Sequence, residues 1–162
     1  LPLLTVPLPD PCSDEEYQTA MGGAITVAQK RGVEAIAFGD LFLEDVRAYR
    51  ESYLSGTGLA PLFPLWGRPT QATAEQMLKA GLRAILTCVY SEQLDRSFVG
   101  RHFDRKLLED LPAHVDACGE NGEFHTVVIA GPCFASELEV EVGAVVERGR
   151  FAFADVTLRN SR

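Results

Sequence analysis

The densest chemistry in this sequence lies within nine residues, Cys118-Gly-Glu-Asn-Gly-Glu-Phe-His-Thr126. Two carboxylates, Glu120 and Glu123, stand three apart beside an amide, Asn121, an imidazole, His125, a hydroxyl, Thr126, and a thiol, Cys118. Gly119 and Gly122 space them, and glycine permits both tight turns and close approach of the backbone to a ligand. Such a set suits a site that grips a positive group or moves a proton, with Glu120, Glu123 and His125 as candidate catalytic groups. Cys118, Gly119, Asn121, Gly122 and Thr126 are then candidate substrate-binding positions. A turn with demanding backbone geometry would also explain the glycines. A metal centre built from Glu120, Glu123, His125 and Cys118 or Cys133 competes with these readings, but no zinc spacing matches it, and no metal is expected. A Cys118–His125 nucleophile pair needs the fold to bring together residues seven apart in a loop.

Two further clusters sit where strand-like runs end. Gly39-Asp40 follows the apolar run Val33–Phe38. Gly39 suits a tight turn and Asp40 a helix cap, or both suit a ligand beyond a strand's carboxyl end. Glu44, Arg47 and Arg50 follow at spacings of three and line one side of the next helix. Arginines there hold phosphate or carboxylate, or else pair with Glu44 and Glu51 on a solvated face. Pro64-Leu-Trp-Gly-Arg68 puts the single tryptophan, Trp66, near a cation, which suits a ring or phosphate ligand, although tryptophan more often packs.

These positions need elements to hold them. Ser13 and Glu16 form a capping box ahead of Tyr17, Ala20, Met21, Ala24, Val27 and Ala28 at helical spacing, closed by Gly32. Leu3–Val6, Val33–Phe38, Pro61–Trp66 and Leu82–Val89 read as strands, and Phe42–Tyr53 and Thr70–Gly81 as helices. The alternation predicts an α/β fold, a parallel doubly wound sheet with helices on both faces. After Val89 the rhythm changes, which puts a domain boundary near residue 90. Residues 1–90 are then one α/β domain and 91–162 a smaller, strand-rich α+β domain for substrate. In the latter, Asp104–Leu111 reads as a short helix, and His125–Ile129, Leu138–Val142 and Phe151–Leu158 as strands. Glu147-Arg-Gly-Arg150 turns the last hairpin.

With 162 residues, 46% of them hydrophobic, the chain can bury a sizeable core. A net charge of -8 counts against a nucleic-acid surface, which needs clustered Lys and Arg. No apolar run suggests a membrane span or secretory signal, so a cytoplasmic protein is expected. The four cysteines lie far apart without a Cys-x-x-Cys pair and read as reduced thiols.

Taken in order, Phe38-Gly-Asp40, Leu43-Glu-Asp-Val-Arg47, Pro64-Leu-Trp-Gly67 and the 118–126 loop resemble the ATP-binding family of diphthine–ammonia ligases, over nearly the entire chain. Gly-Glu-x-Gly-Glu is the most specific mark. That family belongs to the adenine nucleotide alpha-hydrolase superfamily, the N-type ATP pyrophosphatases. The resemblance therefore implies a Rossmann-like domain of HUP type followed by a substrate domain. It also implies the reaction: ATP with Mg adenylates a carboxylate, pyrophosphate leaves, and ammonia displaces AMP to form an amide. In the namesake enzyme the acceptor is diphthine, a modified histidine whose quaternary ammonium would suit Glu120 and Glu123 beside Phe124.

By the same resemblance, Gly39 and Asp40 meet the nucleotide, and Asp40, Glu44, Arg47, Arg50 and Trp66 lie near nucleotide or acceptor. Glu123 positions or deprotonates ammonia, and His125 binds the acceptor carboxylate. Three positions depart from the usual pattern: Asn121 replaces a glycine, His125 an acid, and Asp40 an alanine. They turn the expected acceptor from diphthine toward a small carboxylate. The superfamily's phosphate loop, Ser-Gly-Gly-x-Asp-Ser, does not occur in these residues, so the chain by itself is expected not to hydrolyse ATP. The alternatives are a nucleotide-binding module without turnover and a metal-dependent hydrolase built on the Glu and His loop. The expected partners are ATP, ammonia and the acceptor, with a homodimer as the assembly.

Overall fold

A computed structural model of the chain describes residues 2–9 and 11–159. Two compact units divide between Trp66 and Gly67.

The first unit begins without the strand expected at Leu3–Val6, which has no regular structure. Prolines at 2, 7 and 9 remove the donors a ladder needs, and Leu3 is 84% exposed. Helix α1 (Asp14–Lys30) starts as its residues dictate. The Ser13 hydroxyl accepts from the Glu16 amide, and Glu16 reaches back to the Ser13 backbone N–H at 2.9 Å. It ends in a Schellman motif, with the Gly32 amide on the Gln29 carbonyl, the Val33 amide on the Ala28 carbonyl, and Gly32 at φ +74°. Strand β1 (Ala35–Ala37), helix α2 (Glu44–Leu54) and strand β2 (Ala60–Leu62) follow. β1 and β2 pair in parallel, and Ile25, Leu54 and Leu59 form a small core against Ile36, Phe38 and Tyr53. The expected strand through Trp66 stops at Leu62 because Pro64 has no N–H to donate. Pro64 to Gly67 form a turn instead.

The second unit holds helix α3 (Thr70–Lys79), strand β3 (Arg83–Tyr90), a 3-10 turn (Arg96–Phe98), helix α4 (Arg105–Asp110) and strands β4 (Phe124–Ala130), β5 (Val140–Arg148) and β6 (Phe151–Leu158). Here the structure corrects the sheet prediction. β3 does not continue a parallel sheet with β1 and β2; it pairs antiparallel with β4 and β6 in a four-stranded sheet of order β4-β3-β6-β5. The fold is mixed α/β, with a small parallel sheet and a separate antiparallel one. β5 and β6 close around Gly149 at φ +61°, the hairpin the sequence predicted. One sheet face, through Ala84, Leu86, Val89, Phe124, Ala152 and Ala154, packs with Ala74 of α3 and Leu107 of α4. Asp104 caps α4 by accepting from the Leu107 amide at 2.7 Å. Among the described residues, no helix is long and apolar enough to cross a membrane.

Candidate functional site

In the first unit the structure gathers Asp40, Arg47, Arg50 and Trp66 around a row of rings. Phe38 stacks on Phe63 with centroids 5.5 Å apart, and Phe63 meets Trp66 edge-on at 6.0 Å. The Arg47 guanidinium lies 4.8 Å from the Phe63 centroid and 4.7 Å from that of Trp66, and its Nε contacts Glu51 at 2.8 Å. Arg50 sits 5.1 Å over Phe38. Ring faces on the stem and head of an arginine fix its direction, leaving its terminal nitrogens for an anion. Asp40, just beyond β1, faces Arg50 at 3.7 Å, too far for a hydrogen bond, and Asp40 Oδ2 and Arg50 Nε are both shielded without a hydrogen-bond partner. Glu44 is exposed at the start of α2, and Gly39 is exposed with open space around it.

A carboxylate at a strand end can accept from a ribose hydroxyl or an exocyclic amine. The amino end of α2 offers no phosphate cradle, since Glu44 and Asp45 occupy its first turn.

In the second unit the 116–123 loop folds around two carboxylates. Glu123 is 0% exposed. Its Oε1 accepts from the Asp116 amide and from Asn121 Nδ2, each at 2.9 Å, and its Oε2 from the Asn121 amide at 3.0 Å. Asp116 Oδ1 in turn accepts from the amides of Cys118 at 2.9 Å and Glu120 at 3.1 Å. Gly119 and Gly122 take φ of +70° and +82°, which only glycine adopts freely. Glu120 and Asn121 remain nearer the surface. His125 and Thr126 lie on β4 and are exposed. Because Phe124 enters the core, His125 points to the opposite sheet face. The structure thus groups Cys118, Gly119, Glu120, Asn121, Gly122 and Glu123 in one loop, and sets His125 and Thr126 on the strand beyond it.

This loop opens on a cavity of about 440 Å3 whose lining includes Thr70, Gln71, His114, Val115, Asp116 and Asn121. The first turn of α3 also borders it, with no side chain capping the helix. A larger cleft of about 630 Å3 between α3 and α4 contains no residue of the motif, so size alone does not mark the site. Sequence reasoning missed Asp116, His114 and the aromatic partner Phe63. An aspartate two residues before a loop amide is an Asx-turn signal that could have revealed Asp116; His114 carried no such signal. Among the described residues, no group of three or more His, Cys, Asp or Glu is arranged to hold a metal.

Cys118 donates its thiol to the Thr70 carbonyl at 3.3 Å, tying the loop to α3. Burial, with Asp116 and Glu120 nearby, pushes its pKa up to about 11, and burial also raises that of Cys88. The fold favours the protonated thiol of Cys118, so that part of its stability is complete below the ordinary thiol value, 9.0, and is lost as pH rises through about 11. Iodoacetamide near neutral pH is expected to label the exposed Cys12 and Cys133 and to spare Cys118 and Cys88, as read by peptide mass spectrometry. Rapid labelling of Cys118 would show that its contact with Thr70 does not hold.

Residues 69–157 match the model of the diphthamide synthase C-terminal domain. Among curated proteins, the chain is 29% identical to the diphthine–ammonia ligase of Bos taurus over 157 residues, which is 94% of this chain and 59% of that protein. It is 29% identical to the diphthine–ammonia ligase of Schizosaccharomyces pombe over 119 residues, 71% of this chain and 20% of that protein. The chain therefore spans less than two thirds of the length of either relative. The matched segment contains α3, the 116–123 loop and all but the last residue of the antiparallel sheet, more than half of the chain, and on that basis the chain belongs to the diphthamide synthase C-terminal domain family.

Proposed function

We propose that this chain is part of an ATP-dependent ligase that activates a carboxylate by adenylation and joins it to ammonia as an amide. The observation that carries this reading is the 116–123 loop, set by a buried carboxylate and open to a polar cavity inside the segment that matches the family. The names of the two relatives support the reaction class.

In this reading the first unit is the remainder of a HUP-type nucleotide domain. Gly39 and Asp40 meet the sugar or base, and Arg47 and Arg50, held against Phe63, Trp66 and Phe38, meet phosphate or carboxylate oxygen. Glu44 stands at the rim. The second unit is the substrate half, where Glu120, Asn121 and the first turn of α3 face the acceptor and the nitrogen substrate. The chemistry is a substitution at phosphorus, in which a carboxylate oxygen bonds the α-phosphorus and pyrophosphate leaves. A substitution at carbon follows, in which the ammonia nitrogen bonds the acyl carbon, AMP leaves with the bonding pair, and the nitrogen sheds a proton. In this reading Glu120 takes that proton. Magnesium would accompany the nucleotide phosphates. Asn121 and His125, in place of glycine and an acid, favour a small carboxylate over diphthine as acceptor. A cytoplasmic homodimer completes the proposal.

The test gives the full-length protein ATP, ammonium and a panel of small carboxylates. AMP and pyrophosphate, formed only when acceptor and ammonium are both present, are the expected products. ADP in place of AMP would point to activation by phosphorylation and end the adenylation reading.

A further inference from the structure

The hydrogen bonds of the loop fix which atom of Asn121 can meet a substrate. A carboxylate oxygen only accepts, so the side-chain group of Asn121 that faces Glu123 Oε1 at 2.9 Å must be its NH2. The amide oxygen is then turned away from Glu123, and Asn121 lines the 440 Å3 cavity. Glu123 cannot easily yield this arrangement, because the same carboxylate also holds the amides of Asp116 and Asn121 and is wholly shielded from water. Asp116 closes the network from the other side. Its Oδ1 holds the Cys118 and Glu120 amides, and Asp116 also lines the cavity. Asn121 and Asp116 thus both border the cavity, in positions set by interlocked carboxylates.

We infer that Asp116 and Glu123 are positioning residues that lock the loop so that Asn121 presents its amide oxygen to the cavity, where it receives the hydrogen-bond-donating nitrogen substrate, ammonia. The identity of that substrate rests on the ligase reading; the lock does not. Glu123 then acts through Asn121 and is not itself the base. Glu123→Gln cannot preserve the lock in either amide orientation. One orientation sets its NH2 against the Asn121 backbone N–H, and the other sets it against the Asp116 N–H and the Asn121 NH2. Asn121→Gly instead keeps the backbone donor at 121 and removes only the side chain.

Two measurements on the full-length protein decide the matter. Nitrogen-15 NMR follows the Asn121 side-chain NH2, assigned by its disappearance in Asn121→Gly. Its protons are expected to exchange with solvent at least about tenfold more slowly than in Glu123→Gln. Steady-state kinetics are expected to show an ammonium KM raised about tenfold in both variants, with KM for ATP unchanged and kcat reduced less, and with Glu123→Asp restoring part of the loss. Exchange as fast as in a free asparagine would overturn the lock. Wild-type ammonium KM in Asn121→Gly would overturn the role of its oxygen. Absence of AMP from the wild-type protein with every acceptor counts against the ligase reading and takes the ammonia contact with it, while the NMR result still decides the lock.

Discussion

Glu123→Ala should destabilise the second unit by about 3–5 kcal/mol, the larger share of what holds a domain of this size together. The figure follows from what the carboxylate leaves behind. Two backbone donors, Asp116 N–H and Asn121 N–H, and the Asn121 NH2 lose their acceptor at once. Each unsatisfied donor away from water costs about 1–3 kcal/mol, and water entering the gap recovers part of that. Glu123 is wholly buried, so the donors it leaves face a space closed to bulk water, and only a trapped water can replace part of what the carboxylate gave. Glu123→Gln keeps the volume and one acceptor and should fall between wild type and alanine. Native-state hydrogen exchange at the Leu86 and Val89 amides, inside β3, reads the stability of this unit directly. If the alanine variant matches wild type within about 0.5 kcal/mol, the carboxylate is not satisfying those donors.

What the sequence disclosed and what it withheld divide along one physical line. Signals complete within a few residues were legible. Ser13 and Glu16 cap α1 because donor and acceptor lie three residues apart, and Gly32 ends it because only glycine takes that φ cheaply. The β5–β6 turn at Gly149 is of the same kind. Partner choice between distant strands was not legible. β3 buries Ala84, Ile85 and Leu86 in succession, the continuous apolar run that a parallel central strand also shows, so its burial pattern cannot tell the two apart. The pairing is settled by β4 and β6, which begin at residues 124 and 151.

The loop shows the same limit at finer scale. Glu120 and Glu123 look equivalent in sequence, and their spacing alone makes both candidates to meet the substrate. Strand alternation assigns faces only from Phe124 onward, and what draws Glu123 inward is Asp116, seven residues earlier, whose amide it accepts. A buried carboxylate that satisfies amides and a half-buried one nearer the surface use the same side chain. Only the location of the donors separates them, and that is a tertiary fact. The aromatic row around Arg47 was half visible for the same reason: Trp66 stood out as the single tryptophan, while Phe63 gained meaning only once α2 lay against β2.

Gly119→Ala should cost about 3 kcal/mol, while Gly122→Ala, three residues along the same loop, should cost only about 1 kcal/mol. Both glycines have positive φ, +70° and +82°, so each alanine incurs left-handed strain of about 1 kcal/mol. They differ in what a new methyl group would meet. At Gly122 nothing lies within 4 Å. At Gly119 the methyl carbon would stand 2.9 Å from the Phe124 carbonyl oxygen and 3.1 Å from its ring. The ring is buried in the core, and the Phe124 backbone pairs with Val89 of β3, so neither neighbour can move without disturbing the sheet. Relief has to come from the loop, which would draw the Cys118 and Glu120 amides away from Asp116 and carry Asn121 with them. Gly119→Ala should therefore weaken the lock on the Asn121 side chain as well as the fold, whereas Gly122→Ala weakens the fold alone and mildly. Hydrogen exchange at Leu86, measured in parallel for the two variants, isolates the steric part from the shared φ strain. Equal losses would mean that Phe124 does not crowd Gly119, and the tight joint between loop and strand on which the cavity's shape depends would have to be abandoned.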